Sequence, residues 1–354
     1  MDNAIDLSED RLVVASPDHV RAAAKMALER GETHYTTRPG IIPLREAIAT
    51  SFSDATGIST DPLSQVLITS GEEEALFVVI HTLIASGDEV LILGPSPRSD
   101  DDVVRRAGGT VRHVSRSSPV PQQPSDSMPA ISDRTRVVLV RRPSLKGDLD
   151  DDAFVELLHT QVELHNSVVV SIEVGADFYR TGYEHRPFAL KRDGENRTVT
   201  IGGFGAWGLD GWRVGYMVGP RSLVAPMTAF KQALSICSPA LGQYAALASV
   251  SGSQAHLHTL RSTLDSRWKA VVSALSRSAV PVRVEEAGYH LFVPWPRSGG
   301  DYTREIWQEC RVRVADGADV NLPGTVRITL SQSEPLLAEA AARLARLIGG
   351  QANG

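Results

Sequence analysis

"QVLITSGEEEALFVVIHTLIASGDEVLILGPSP", residues 65–97, decides the fold. It opens on a short apolar run, "QVLITS", passes into the helical stretch "GEEEALFVVIHTLIAS", and returns to a second strand-like run, "DEVLILGPSP". The same rhythm continues downstream. "VVRRAGGTVRHVS" reads as helix then strand; "TRVVLVRRPS", "SVVVSIEVG", "TVTIGGFG" and "WRVGYMVGP" are runs of buried character with helical segments between several of them. Apolar strands alternating with helices predict an α/β unit built on a mostly parallel sheet.

Upstream, "SPDHVRAAAKMALER", residues 16–30, reads as a helix. Ser16 or Asp18 caps it, Val20, Ala24 and Leu28 share a face, and Gly31 stops it. "IIPLREAIATSFSDATG" is a second helix. After Pro220 the chain reads as helical to about residue 278; "VRVEEAGYHLFVPWP" and "VRVADG...VRITL" then alternate as strands of one layer. "SEPLLAEAAARLARLIG" closes it as an amphipathic helix, with Ser333 as cap and Gly349 as stop. The division expected is an N-terminal segment 1–29, a large domain 30–225 and a small α/β domain 226–354. The Pro-rich stretch at 117–129 reads as a surface loop.

The totals narrow the function classes. With 36 basic and 42 acidic residues the formal net charge is −6, which offers no basic footprint for nucleic acid or an anionic membrane. No apolar run has membrane-spanning length, and the acidic start "MDNAIDLSEDRLVV" lacks the layout of a signal peptide. Cys237 and Cys310 are the only cysteines, and no Cys/His cluster has zinc spacing, so no metal is expected. These features predict a reduced, soluble, cytoplasmic protein.

Five landmarks in order resemble the class I/II aminotransferases, the fold type I enzymes that use pyridoxal phosphate. They are the opening helix with "HYTTRPG" and its following helix, the segment "VLITSGEEEALF", "GYEHRPFA", "GWRVGY" and "VRITLS". The resemblance covers nearly the whole chain, apart from a short N-terminus that largely lacks the family's glycine-containing opening. It implies a large domain with a central, mostly parallel seven-stranded sheet sandwiched by helices, plus a small C-terminal α/β domain.

It also implies site residues. The family's Schiff-base lysine lies six residues before the glycine of "GWR.GY", which places Gly205 there; no lysine lies between Lys191 and Lys231. Glycine offers neither the amine nor the proton shuttle. By the same comparison Ile172 stands for the aspartate that pairs with the pyridine nitrogen, Gly175 for a tyrosine and Ser144 for an asparagine at the ring oxygen, and Pro97 for the stacking aromatic. At the phosphate cradle, Glu72 and Glu73 follow Gly71. They either repel a phosphate or simply stabilise the helix and face water. Tyr35 matches a tyrosine that reaches across a dimer, or it packs at an interface. Arg213 matches the phosphate arginine, or it pairs with a glutamate of "GEEEA". Arg327 matches the clamp for a substrate α-carboxylate, or it lies at the surface. His290 falls in the region bordering the substrate pocket, His185 in a surface loop and Trp212 in the core. Trp207 fills volume left by the ring, and Asp177 lies just beyond the family's cofactor-contacting positions.

The resulting expectation is an enzyme without the lysine machinery, independent of pyridoxal phosphate, acting on an amino acid or similar small carboxylate. No covalently bound cofactor is expected and pyridoxal phosphate is disfavoured, with non-covalent binding left open. The alternatives are a non-catalytic homologue serving as a ligand-binding or partner subunit, and an enzyme holding pyridoxal or pyridoxamine phosphate non-covalently. A homodimer is expected, or a heterodimer with an active homologue.

Overall fold

The computed structural model describes residues 4–114, 130–148, 152–189, 197–276, 282, 285–295 and 301–351. The loop expected at 117–129 lies outside them. The strands are β1 (Ile5–Asp6), β2 (Val66–Thr69), β3 (Glu89–Leu93), β4 (Thr110–Val114), β5 (Thr135–Arg141), β6 (Val168–Ile172), β7 (Thr198–Gly203), β8 (Gly215–Val218), β9 (His290–Pro294), β10 (Val312–Arg313), β11 (Ala315–Asp316) and β12 (Thr325–Thr329). The helices are α1 (Asp18–Glu29), α2 (Ile42–Thr56), α3 (Glu72–Leu83), α4 (Arg98–Arg106), α5 (Asp152–Leu164), α6 (Arg221–Ser235), α7 (Ala240–Ser251), α8 (Ala255–Leu275), α9 (Tyr302–Cys310) and α10 (Glu334–Gln351).

Seven strands form the main sheet in the order β2-β8-β7-β6-β5-β3-β4, all parallel except β8, which runs antiparallel to both neighbours. Burial on both faces explains the continuous apolar runs. On β5, Val137 and Leu139 pack into the layer with α3 and α6, while Val138 and Val140 pack toward Phe154, Val155 and Leu158 of α5. That alternation is the two-residue period of a strand with a helix layer on each side. A second sheet, β11-β12-β9, is antiparallel and packs with α8, α9 and α10 into one core with the N-terminal segment. The fold type I expectation, including the smaller C-terminal α/β unit, is met.

Three details at element ends differ from the expectation. Neither Ser16 nor Asp18 caps α1: Pro17 takes that place without a side-chain cap, and the Ser16 hydroxyl donates to the Gly208 carbonyl at 2.9 Å instead. Leu28 is exposed, and Ala27 joins Val20 and Ala24 on the buried face. Gly349 does not stop the last helix, which continues to Gln351.

The N-terminal segment crosses between units. β1 pairs in parallel with β10, and the Leu7 amide donates to Arg313 at 2.8 Å. Thr329 on β12 donates its amide to Leu7 and its hydroxyl to Glu9. Residues 8–12 then run over the ends of the parallel strands, and Leu12 is buried.

Candidate active site

A cavity of about 610 Å³ opens where β5, β6 and β7 end at their carboxyl termini, beside the N-terminus of α3. This is where parallel α/β sheets bind ligands, because the loops leaving adjacent strands diverge there. Glu72, Glu73, Pro97, Ser144, Ile172, Gly175, Gly205, Arg213, His290 and Arg327 all line it, so one cavity gathers ten residues scattered over 250 positions. Tyr35, Asp177 and Trp207 do not line it. Tyr35 is 80% exposed. Trp207 is buried in the core, edge-on to His19 and hydrogen-bonded to Asp177, whose carboxyl burial pushes up. It therefore fills core volume rather than ring volume. Trp212 is half-buried against the core.

The α3 end is held by charge. Gly71 sits at φ 89°, and any side chain there would run into the Arg213 guanidinium. Arg213 itself has a left-handed backbone, φ 54°, a costly conformation for a non-glycine residue. It donates to the Ser70 carbonyl at 3.0 Å and to Glu73 at 2.6 Å. Burial acts to raise the Glu73 carboxyl, but the Arg213 hydrogen bond prevails and holds it below the ordinary range. Glu72 receives Arg11 at 2.6 Å. Glu74 accepts the Ser70 amide at 2.6 Å and lies 3.6 Å from the buried Lys231 ammonium. The glutamates therefore do not simply face water: each has a cationic partner, and Arg213 takes the pairing reading.

At the other end, Arg327 on β12 is only 6% exposed, which removes the surface reading. Its Nη2 donates to the Ser8 carbonyl at 3.4 Å and to the Asp10 carboxylate, while its Nε is buried with no hydrogen-bond partner. Beside it, burial and then the Arg327 charge push His290 down to about 3, so the ring is neutral. His290 Nδ1 and the Thr329 hydroxyl are hydrogen-bonded at 3.0 Å, and the same hydroxyl donates to the Glu9 carbonyl. Burial also pushes Tyr289 up to about 12.

Sequence reasoning missed several groups. Asp10 and Arg11 line the cavity from a segment whose charges carry no periodic signal. Arg141 closes β5 and pairs with the buried Asp100 at 2.8 Å. Next to Ile172, Glu173 faces away from the cavity. It accepts the Ser171 hydroxyl at 2.8 Å and the Phe188 amide at 2.9 Å, and it bonds His185 at 2.6 Å, which in turn meets Tyr179 at 3.0 Å. His185 is thus part of a half-buried polar chain, not a free surface residue.

The phosphate end offers a helix N-terminus and Arg213, but a phosphate there must take the place of Glu73. No lysine is among the described residues lining the cavity. Gly205 has room for a β-carbon only if Asp210, 3.0 Å from that point, gives way slightly. The residues present do not fit a pyridoxal phosphate held through a lysine imine. Among the described residues no group of acidic, His or Cys side chains is arranged to hold a metal, and no helix is long and apolar enough to cross a membrane.

Comparison with known proteins supplies the class. The chain is 29% identical over 346 residues to an aspartate/prephenate aminotransferase of Thermus thermophilus, covering 94% of this chain and 88% of that protein. It is 26% identical to aromatic-amino-acid aminotransferase 2 of Thermococcus litoralis, covering 94% and 88%. Among solved structures, the aromatic aminotransferase of Pyrococcus horikoshii superposes with a TM-score of 0.89 at 25% identity, over 99% of this chain and 97% of that one. Aspartate aminotransferase of Thermus thermophilus with maleate gives 0.88 at 27%, over 97% and 91%. This likeness, sustained through the whole length, overturns the expectation of a protein outside transaminase chemistry, whether an enzyme independent of pyridoxal phosphate or a non-catalytic subunit. It also overturns the expectation that pyridoxal phosphate is disfavoured. The match to Aminotransferase class I and II runs over residues 2–344, and the chain belongs to that family.

Proposed function

We propose that the protein is an aminotransferase acting on a small amino acid, with pyridoxal phosphate as cofactor, and that Arg327 takes the substrate's α-carboxylate. The likeness to aminotransferases supports the activity and the cofactor. The observation that carries the substrate reading is Arg327 itself: a guanidinium buried to 6% exposure at the cavity wall, with an unsatisfied Nε–H. A buried, unpaired donor is costly, and a planar carboxylate satisfies it. His290 stays neutral beside that subsite, so it adds no charge. Among the described residues lining the cavity there is no lysine amine. The same reading makes the protein a homodimer, with exposed Tyr35 turned toward the second copy.

The test mixes the purified protein, pyridoxal phosphate, each common L-amino acid and 2-oxoglutarate, and measures the new 2-oxo acid. Turnover with at least one donor is expected, with the sample sedimenting as a dimer. Arg327→Met should raise KM at least about tenfold while leaving cofactor absorbance unchanged. Absence of any product, or an unaltered KM in the variant, defeats the proposal.

A further inference from the structure

Both arginines at the ends of the cavity are already engaged by the chain's own carboxylates: Glu73 lies on Arg213 and Asp10 on Arg327. We propose that Asp10 is an internal carboxylate standing in the Arg327 subsite, which a ligand's carboxylate must displace, so that Asp10 sets the affinity for substrates. This rests on the reading of Arg327 given above.

The pair is lopsided. The Arg327 side chain is 7% exposed and the Asp10 side chain 84%. When the pair opens, Asp10 is already in water, whereas Arg327 needs a replacement anion. Asp10 also engages Arg327 through Nη2 and leaves Nε–H unmet. A free carboxylate approaching edge-on takes Nη2 and Nε together, one hydrogen bond more than Asp10 makes. The backbone need not move. On one side Leu7 and Glu9 are hydrogen-bonded to Thr329. On the other, Arg11 is tied to Glu72 at 2.6 Å and Glu73 at 3.3 Å, and Leu12 is buried. Displacement is therefore a side-chain rotation out of a fixed strap. Burial disfavours the Arg11 charge, but Glu72 and Glu73 outweigh this and raise its pKa, so the anchor stays charged.

The test is calorimetric binding of L-aspartate, L-alanine and L-phenylalanine to the wild type and to Asp10→Asn, Glu9→Gln and Arg327→Met. If Asp10 fills the subsite about nine-tenths of the time, Asp10→Asn binds every probe about tenfold more tightly. Glu9→Gln removes an exposed neighbouring charge and should match the wild type. Equal or weaker binding by Asp10→Asn, with binding lost in Arg327→Met, overturns the role of Asp10 and leaves the Arg327 reading intact. Equal tightening by Glu9→Gln also overturns it, since general repulsion then accounts for the effect. Arg327→Met binding like the wild type, or no binding by either wild type or Asp10→Asn, removes both readings.

Discussion

His290 shows how one residue's surroundings decide its chemistry. It is hydrogen-bonded to Thr329 and sits against the Arg327 charge, and burial holds it neutral down to about pH 3. In the unfolded chain a histidine titrates near 6.5. Because the folded value lies below the unfolded one, its contribution to stability is full above about pH 6.5 and drains away as pH falls toward 3. The loss is about 1.4 kcal/mol per pH unit. Denaturant unfolding of the wild type and His290→Asn between about pH 7 and about pH 5 should show a shallower decline for the variant, by up to that amount. Parallel slopes would mean that His290 does not titrate in this way. At this scale the sequence was only partly legible. Arg327, Arg213 and Ile172 were found because the family pattern marks their positions. Asp10 and Arg11 were not, because nothing in "SEDRL" says which way a charge will face. His185 was misread for the same reason: its partner Glu173 is twelve residues away and meets it only through the fold.

Elements were more readable than their ends. The βαβ rhythm is set by burial on both sheet faces, which the apolar runs report directly, so β2 to β8 and the helices between them follow from pattern. Helix ends depend on competition between hydrogen-bond partners. Ser16 is a good capping residue, yet its hydroxyl goes to the Gly208 carbonyl across the fold. That contact seats the entry of α1 on the turn between β7 and β8. Gly208 has φ 67°, and a β-carbon there would strike the Val14 carbonyl and crowd Ser16. Gly208→Ala is expected to cost about 1–3 kcal/mol, seen as a lowered Tm in thermal unfolding; an unchanged Tm would show that the turn relaxes freely. The three glutamates opening α3 were legible as a favourable first turn. Their cations come from β1's continuation, the β7–β8 turn and α6, and no local pattern predicts that convergence.

For the whole molecule, family pattern and hydrophobic rhythm together specify two α/β units. What they leave unspecified is the path of the first twelve residues. That path has a consequence for the order in which the protein assembles. Ile5 pairs with Val312, about 300 residues away. Closing so long a loop carries a large entropic cost and comes late. During synthesis the first strand must wait for β10 to emerge before it has a partner. The main sheet, by contrast, is complete once β8 has been made. The cavity mouth is therefore finished last. On refolding from denaturant, far-ultraviolet dichroism should recover before the amino-acid binding that depends on Arg327. Simultaneous recovery would show that the two ends of the chain meet in the same step that forms the sheet.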